Sequence, residues 1–184
     1  MKRAIVLLAA TIFTLSGLSA GPRFSLSLAA NLQWPADSGY KEVYGQSVFL
    51  PELKAGYSLT PSIYLWAGYG RVAAKGKTSV LELDSKSSQD YLQLGAGYEG
   101  VLSGKLGFKA ELGLADILYR VEALGEKVSG SAIGFVLSGS LTYALCQRFY
   151  LLADMGYLYA QKTINAVSVK MGGLRAGLGG GLRF

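Results

Sequence analysis

Three carboxylates, Glu52, Glu111 and Asp154, fall near the middle of three separate stretches in which apolar and polar residues alternate. Carboxylates brought together in a confined space can divide acid and base roles between them. Lys54, Lys109 and Arg175 stand at comparable positions, and with Arg183 the set holds four cations against three carboxylates. A buried charge without a partner costs several kcal/mol, so structural ion pairing within a lumen is the expected role of Glu52, Lys54, Lys109, Glu111, Asp154 and Arg175. Asp154 and Arg175 are expected to pair with each other across the last two stretches.

Other chemistry is narrowed by what the chain lacks. It contains no histidine, so its serines have no imidazole base to activate them. Its single cysteine, Cys146, can form no intramolecular disulfide and is the only candidate for a zinc site of the His and Cys kind. A buried or turn position suits it. Gly95-Ala96-Gly97 and Gly177-Leu178-Gly179-Gly180-Gly181 resemble phosphate cradles but precede no helix, and Gly76-Lys77-Thr78 lacks the upstream spacing. No catalytic residue, metal site or cofactor is therefore expected. The formal charge of +6, to which Lys2 and Arg3 contribute two, is not gathered into a basic stripe, which argues against nucleic-acid binding.

The elements that would position these residues are strands. One face of the first carries Phe24, Leu26, Leu28, Ala30, Leu32 and Trp34 against Ser25, Ser27, Ala29, Asn31 and Gln33 on the other. The second alternates from Phe49 to Leu59, with a bulge expected at Pro51 because proline removes a ladder donor. In the third, Leu65, Ala67 and Tyr69 compete with Tyr64 and Trp66 for the outer face. The odd set is placed outside because Leu53-Lys-Ala-Gly-Tyr57, Leu65-Trp-Ala-Gly-Tyr69 and Leu94-Gly-Ala-Gly-Tyr98 share one pattern. Further strands run to Tyr98 and over 106–114, 133–143, 149–159 and the glycine-rich carboxyl-terminal segment.

Across these spans the apolar face is free of charge, and the charged residues fall opposite it. Lipid outside and charge inside is the pattern of a transmembrane barrel, since Lys or Arg facing mid-bilayer lipid costs about 2–4 kcal/mol. A soluble barrel would invert it. Short turns are expected at 60–62, 100–104 and 144–147, and longer polar loops near 35–47, 72–90, 116–131 and 160–169. Aromatic residues collect near the ends of strands, as interfacial girdles do.

Lys2 and Arg3 before the apolar run Ala4 to Leu18, with Leu18-Ser19-Ala20 for cleavage, mark residues 1–20 as a secretory signal peptide. Residues 21–184 form one barrel domain. The carboxyl-terminal strand ends on Phe184, and in this and in its distributed pattern the chain resembles the small OmpA-type and opacity-type outer-membrane barrels over nearly its full length. The resemblance implies an all-β, eight-stranded antiparallel transmembrane barrel in the outer membrane of a diderm bacterium. It implies that the barrel-assembly machinery reads Phe184 as an insertion signal, although Leu182 stands where an earlier aromatic is common. No peptidoglycan-binding domain is expected after Phe184. The partners are then outer-membrane lipids and lipopolysaccharide. The loop charges Lys75, Lys77, Glu82, Asp84, Lys86, Glu122, Glu126 and Lys127 are expected to be mixed and solvated, the alternative being that the lysines meet anionic lipopolysaccharide or a host surface. The function expected is non-enzymatic: envelope support or surface contact through the loops. The alternative is a narrow pore or lateral route for small molecules, and an enzyme using carboxylates without histidine comes last.

Overall fold

The computed structural model describes residues 24–77, 84–123, 126–164 and 167–184. The signal peptide expected over 1–20 lies outside them, as does Glu82. Eight strands, β1 (Phe24–Pro35), β2 (Val48–Ser58), β3 (Ile63–Lys77), β4 (Asp84–Ser103), β5 (Leu106–Ala123), β6 (Glu126–Ala144), β7 (Phe149–Ile164) and β8 (Val167–Arg183), follow one another around a closed barrel. Every neighbouring pair is antiparallel, and β8 returns to β1 with Leu26 opposite Leu182.

Pleating decides what each face meets. Along β1 the even positions from Leu28 to Trp34 are exposed, while Ala29, Asn31 and Gln33 are buried. The ambiguous third strand follows the odd register: Leu65, Ala67 and Tyr69 face outward, and Tyr64 and Trp66 are buried inside. The repeated pentads explain this directly. Leu53, Ala55 and Tyr57 of β2 lie opposite Tyr69, Ala67 and Leu65 of β3, so two copies of the pattern pair head to tail on the outer face. The exposed belt of leucines is bounded by Phe24, Tyr57, Tyr98, Phe108, Tyr143, Phe149 and Phe184 at the short-turn end and by Trp34, Phe49, Tyr69 and Tyr157 at the other. From Phe24 to Trp34, at ~3.3 Å per residue along strands tilted ~40°, the belt is about 25 Å tall, the height of a lipid-facing band.

The long connections differ from expectation. Most of 72–90, 116–131 and 160–169 is strand, so three hairpins project beyond the belt. Toward the tips polar residues enter both faces, as with Ser85 and Ser87 inward and Lys86 and Asp84 outward, and the apolar alternation fades although the ladder continues. The extension also puts charge on the outward face: Arg71 and Asp90 share a row, and Asp116 and Arg120 follow on β5. No bulge forms at Pro51. Pairing with β1 runs unbroken through Ala30 opposite Pro51, and the β2–β3 ladder begins only at Glu52, so Pro51 stands just outside it. The ladder irregularity lies instead between Val101 and Ser103, before a turn at Gly104 with φ of 52°.

The 35–47 connection holds a short helix, α1 (Ser38–Tyr44), where a loop was expected. The Asp37 side chain caps it by accepting from the Tyr40 amide at 3.0 Å, and its other oxygen accepts from the Lys170 amide of β8 at 3.2 Å. Tyr44 and Ser85 share a hydrogen bond of 2.6 Å between their hydroxyls. Gly76 of β3 lies directly under the Val43 carbonyl, where a Cβ has no room. The helix thus lies across the long-hairpin mouth, and burial there raises the Tyr40 phenol above its ordinary value. At the opposite end Cys146 is an exposed turn residue between β6 and β7.

Candidate functional site

The lumen brings polar residues of all eight strands together. Glu52 Oε1 accepts from Arg175 Nη1 and from Gln93 Nε2, each at 2.7 Å, and Asn31 Nδ2 donates to Oε2 at 3.2 Å. Glu111 is equally engaged: Lys54 Nζ and the Tyr64 and Ser138 hydroxyls donate to it at 2.7, 2.8 and 2.8 Å. Lys54 lies 4.0 Å from both Glu52 and Asp154 and sits over the Trp66 ring at 5.2 Å. One lysine therefore links three carboxylates, in surroundings where charge-assisted bonds are strong and unpaired charges costly.

The expected Asp154–Arg175 pair does not form. Arg175 lies opposite Gly156, one inward step from Asp154 on the same face, and its guanidinium reaches past β1 to Glu52 of β2. Asp154 accepts instead from Ser140 Oγ at 2.8 Å on the other neighbouring strand. Cross-strand adjacency loses to the reach of arginine, whose long side chain spans the intervening β1 to Glu52 and meets Gln93 of β4, on the far wall, at 3.3 Å.

Lys109 and Arg183 do not join the central cluster. They flank Glu99 nearer the short-turn end at 3.5 and 3.7 Å, and both pack on the Tyr150 ring, Lys109 at 5.3 Å and Arg183 at 5.1 Å. Glu99 was missed because the fourth strand was read only to Tyr98. The parity that puts Gln93 and Gly97 inward puts Glu99 inward too, and with it the lumen holds four cations and four carboxylates.

Beyond this network, toward α1, the lumen is apolar. Leu50, Val72, Ile117, Val136, Leu158 and Met171 pack with Tyr91 into a buried layer that closes the barrel on that side. Space beside the three carboxylates amounts to about 20 Å³, enough for one water. The oxygens of Glu52 and Glu111 are already engaged by donors, and Asp154 Oδ2, without a hydrogen-bond partner among the described residues, faces a space too small for more than a water.

Glycines seat the inward rings. Gly97 and Gly181 lie under Tyr64 and Tyr150, so close that a Cβ on either would enter the ring. Gly97→Ala is therefore expected to push the Tyr64 hydroxyl off Glu111 and to cost about 1–3 kcal/mol, read as a lower urea midpoint for the folded barrel. Gly139→Ala, where nothing lies nearer than 3.8 Å, should leave the midpoint nearly unchanged. Equal effects from the two would contradict the seating.

A filled, charged interior inside a lipid-matching belt defines a small transmembrane β-barrel of the eight-stranded kind. Solved structures with this fold include the attachment invasion locus protein Ail of Yersinia pestis, at 18% identity over 90% of this chain and 100% of that one, with a TM-score of 0.58. Neisserial surface protein A matches at 20% identity over 87% and 94%, with a TM-score of 0.61. The outer membrane protein OprG of Pseudomonas aeruginosa matches at 13% over 89% and 96%, with a TM-score of 0.63. At these identities the likeness is one of fold. No protein-family model matches the chain, and no curated protein does.

Proposed function

We propose that the chain is a non-enzymatic outer-membrane barrel with a closed lumen, which supports the envelope and makes contacts through the rim of its long hairpins. The observation that carries this reading is the filled interior, with buried ion pairs in the middle and an apolar layer beneath α1. Short turns on the periplasmic side and long hairpins outside are the usual arrangement in such barrels, with both ends of the chain periplasmic. The names of two structural neighbours, an attachment invasion locus protein and a neisserial surface protein, accord with a surface-contact role. Export by a cleaved signal peptide, and recognition of Phe184 by the assembly machinery, complete the reading. Phe184 is exposed, and its backbone bonds with Phe24 draw the two ends of the barrel wall together.

Conductance in planar bilayers separates this reading from a pore. The folded protein should give no steady channel, because ions would have to pass Leu50, Ile117 and Leu158 as well as the paired charges. Reproducible unitary steps from the folded form would instead favour transport.

A further inference from the structure

On its outward face, beyond the belt, the wall between β3 and β6 is indented by a cavity of about 500 Å³. Arg71, Asp90 and Leu118 cross its floor in one row, and Ser88, Arg120 and Ser129 form the next row outward. The row on the belt side is Tyr69, Leu92, Asp116 and Ile133. Two strand residues beyond Tyr69 correspond to about 5 Å of height at ~3.3 Å per residue and ~40° tilt. The headgroup zone of a bilayer is roughly 5–8 Å deep on each side, so the cavity opens at headgroup level.

Its cations are available and oriented. Asp90 Oδ1 accepts from the Tyr69 hydroxyl at 2.7 Å and lies 3.7 Å from Arg71 Nε, which fixes one edge of that guanidinium and leaves the side chain 59% exposed. Arg120 is exposed and makes no ion pair among the described residues. Asp116 lies one step deeper and does not line the cavity. Guanidinium groups present paired N–H donors that match phosphate oxygens, and serine hydroxyls can donate alongside them. Leu118, exposed on the same floor, offers the apolar contact that a free anion would not need.

We propose that this cavity binds the phosphorylated headgroup of an outer-leaflet lipid. Arg120 and Arg71 hold the phosphate, Ser88 and Ser129 donate to it, and Leu118 meets the adjoining apolar part. The proposal rests on the reading that the long hairpins face outward from an outer membrane.

The test is native mass spectrometry of the detergent-solubilised folded barrel mixed with bis-phosphorylated lipid A, with its dephosphorylated form, and with inorganic phosphate. The wild type should retain one lipid A. Arg71→Gln with Arg120→Gln should reduce retention about tenfold, as expected for loss of charge-assisted bonds. Removing the lipid phosphates should lower wild-type retention to the same level. Equal retention by the variant, equal retention of the phosphate-free lipid, or displacement by millimolar inorganic phosphate would overturn the proposal. Arg120→Gln alone, which breaks no ion pair among the described residues, serves if the double variant assembles poorly. Heat-dependent gel mobility of each sample separates the two levels: a barrel that folds but binds without selectivity sinks the lipid site alone, whereas loss of the folded form in lipid or detergent sinks the membrane reading beneath it.

Discussion

Glu52→Gln is expected to destabilise the folded barrel by about 3–5 kcal/mol, the loss that follows when one partner of a buried ion pair is removed. Arg175 is 0% exposed, and its Nη1 contacts Glu52 and Gln93 while Nε and Nη2 have no hydrogen-bond partner among the described residues. Without the carboxylate a full positive charge would remain buried with no counter-charge at hydrogen-bond distance. The measurement is the urea midpoint of the protein refolded into lipid vesicles, followed by the fraction that migrates as folded. Replacing both members, Glu52→Gln with Arg175→Met, should recover most of the loss, because removing both charges of a buried pair leaves neither one uncompensated. A double variant as unstable as the sum of the singles would show that the two side chains act independently.

Leu112→Arg is expected to cost about 2–4 kcal/mol in lipid, with a corresponding fall in the yield of inserted protein. Leu112 is 62% exposed and lies in a row with Ala96 and Leu137, well inside the aromatic girdles. Ser131→Arg provides the contrast, since Ser131 shares the row of Arg71 and Asp90 beyond the belt and a cation there meets headgroups and water. Its cost should be about 0–1 kcal/mol. If Leu112→Arg were harmless, the exposed leucines would not be facing lipid.

Residue order alone carried the barrel class because lipid imposes a one-residue alternation that survives in every membrane-crossing segment. Leu28, Leu94, Leu114 and Leu178 all lie on the face their parity assigned. The same rule placed Glu52, Lys54, Glu111 and Arg175 in one lumen, but it could not choose their partners. Parity gives a side; it does not say which inward side chains a long arginine reaches, and the Asp154–Arg175 expectation failed because Arg175 extends past β1 to Glu52. Strand ends beyond the belt were illegible for a different reason. Where the outward face meets water and the inward side chains are short and polar, as at the Lys75–Lys86 pair, the backbone ladder persists without a hydrophobic signature. The helix α1 left a faint trace, Asp37 as its cap and Gly45 with φ of 99° at its end, too short to compete with a loop reading.

The most direct measurement compares unheated and boiled outer-membrane fractions from cells producing the full chain, on one denaturing gel. A closed barrel resists detergent until heated, so the protein should be found in that fraction and its band should shift on boiling. A protein recovered from the soluble periplasm, with one mobility at both temperatures, would contradict a lipid-facing belt around a charged lumen and point to the inverted, soluble kind of barrel.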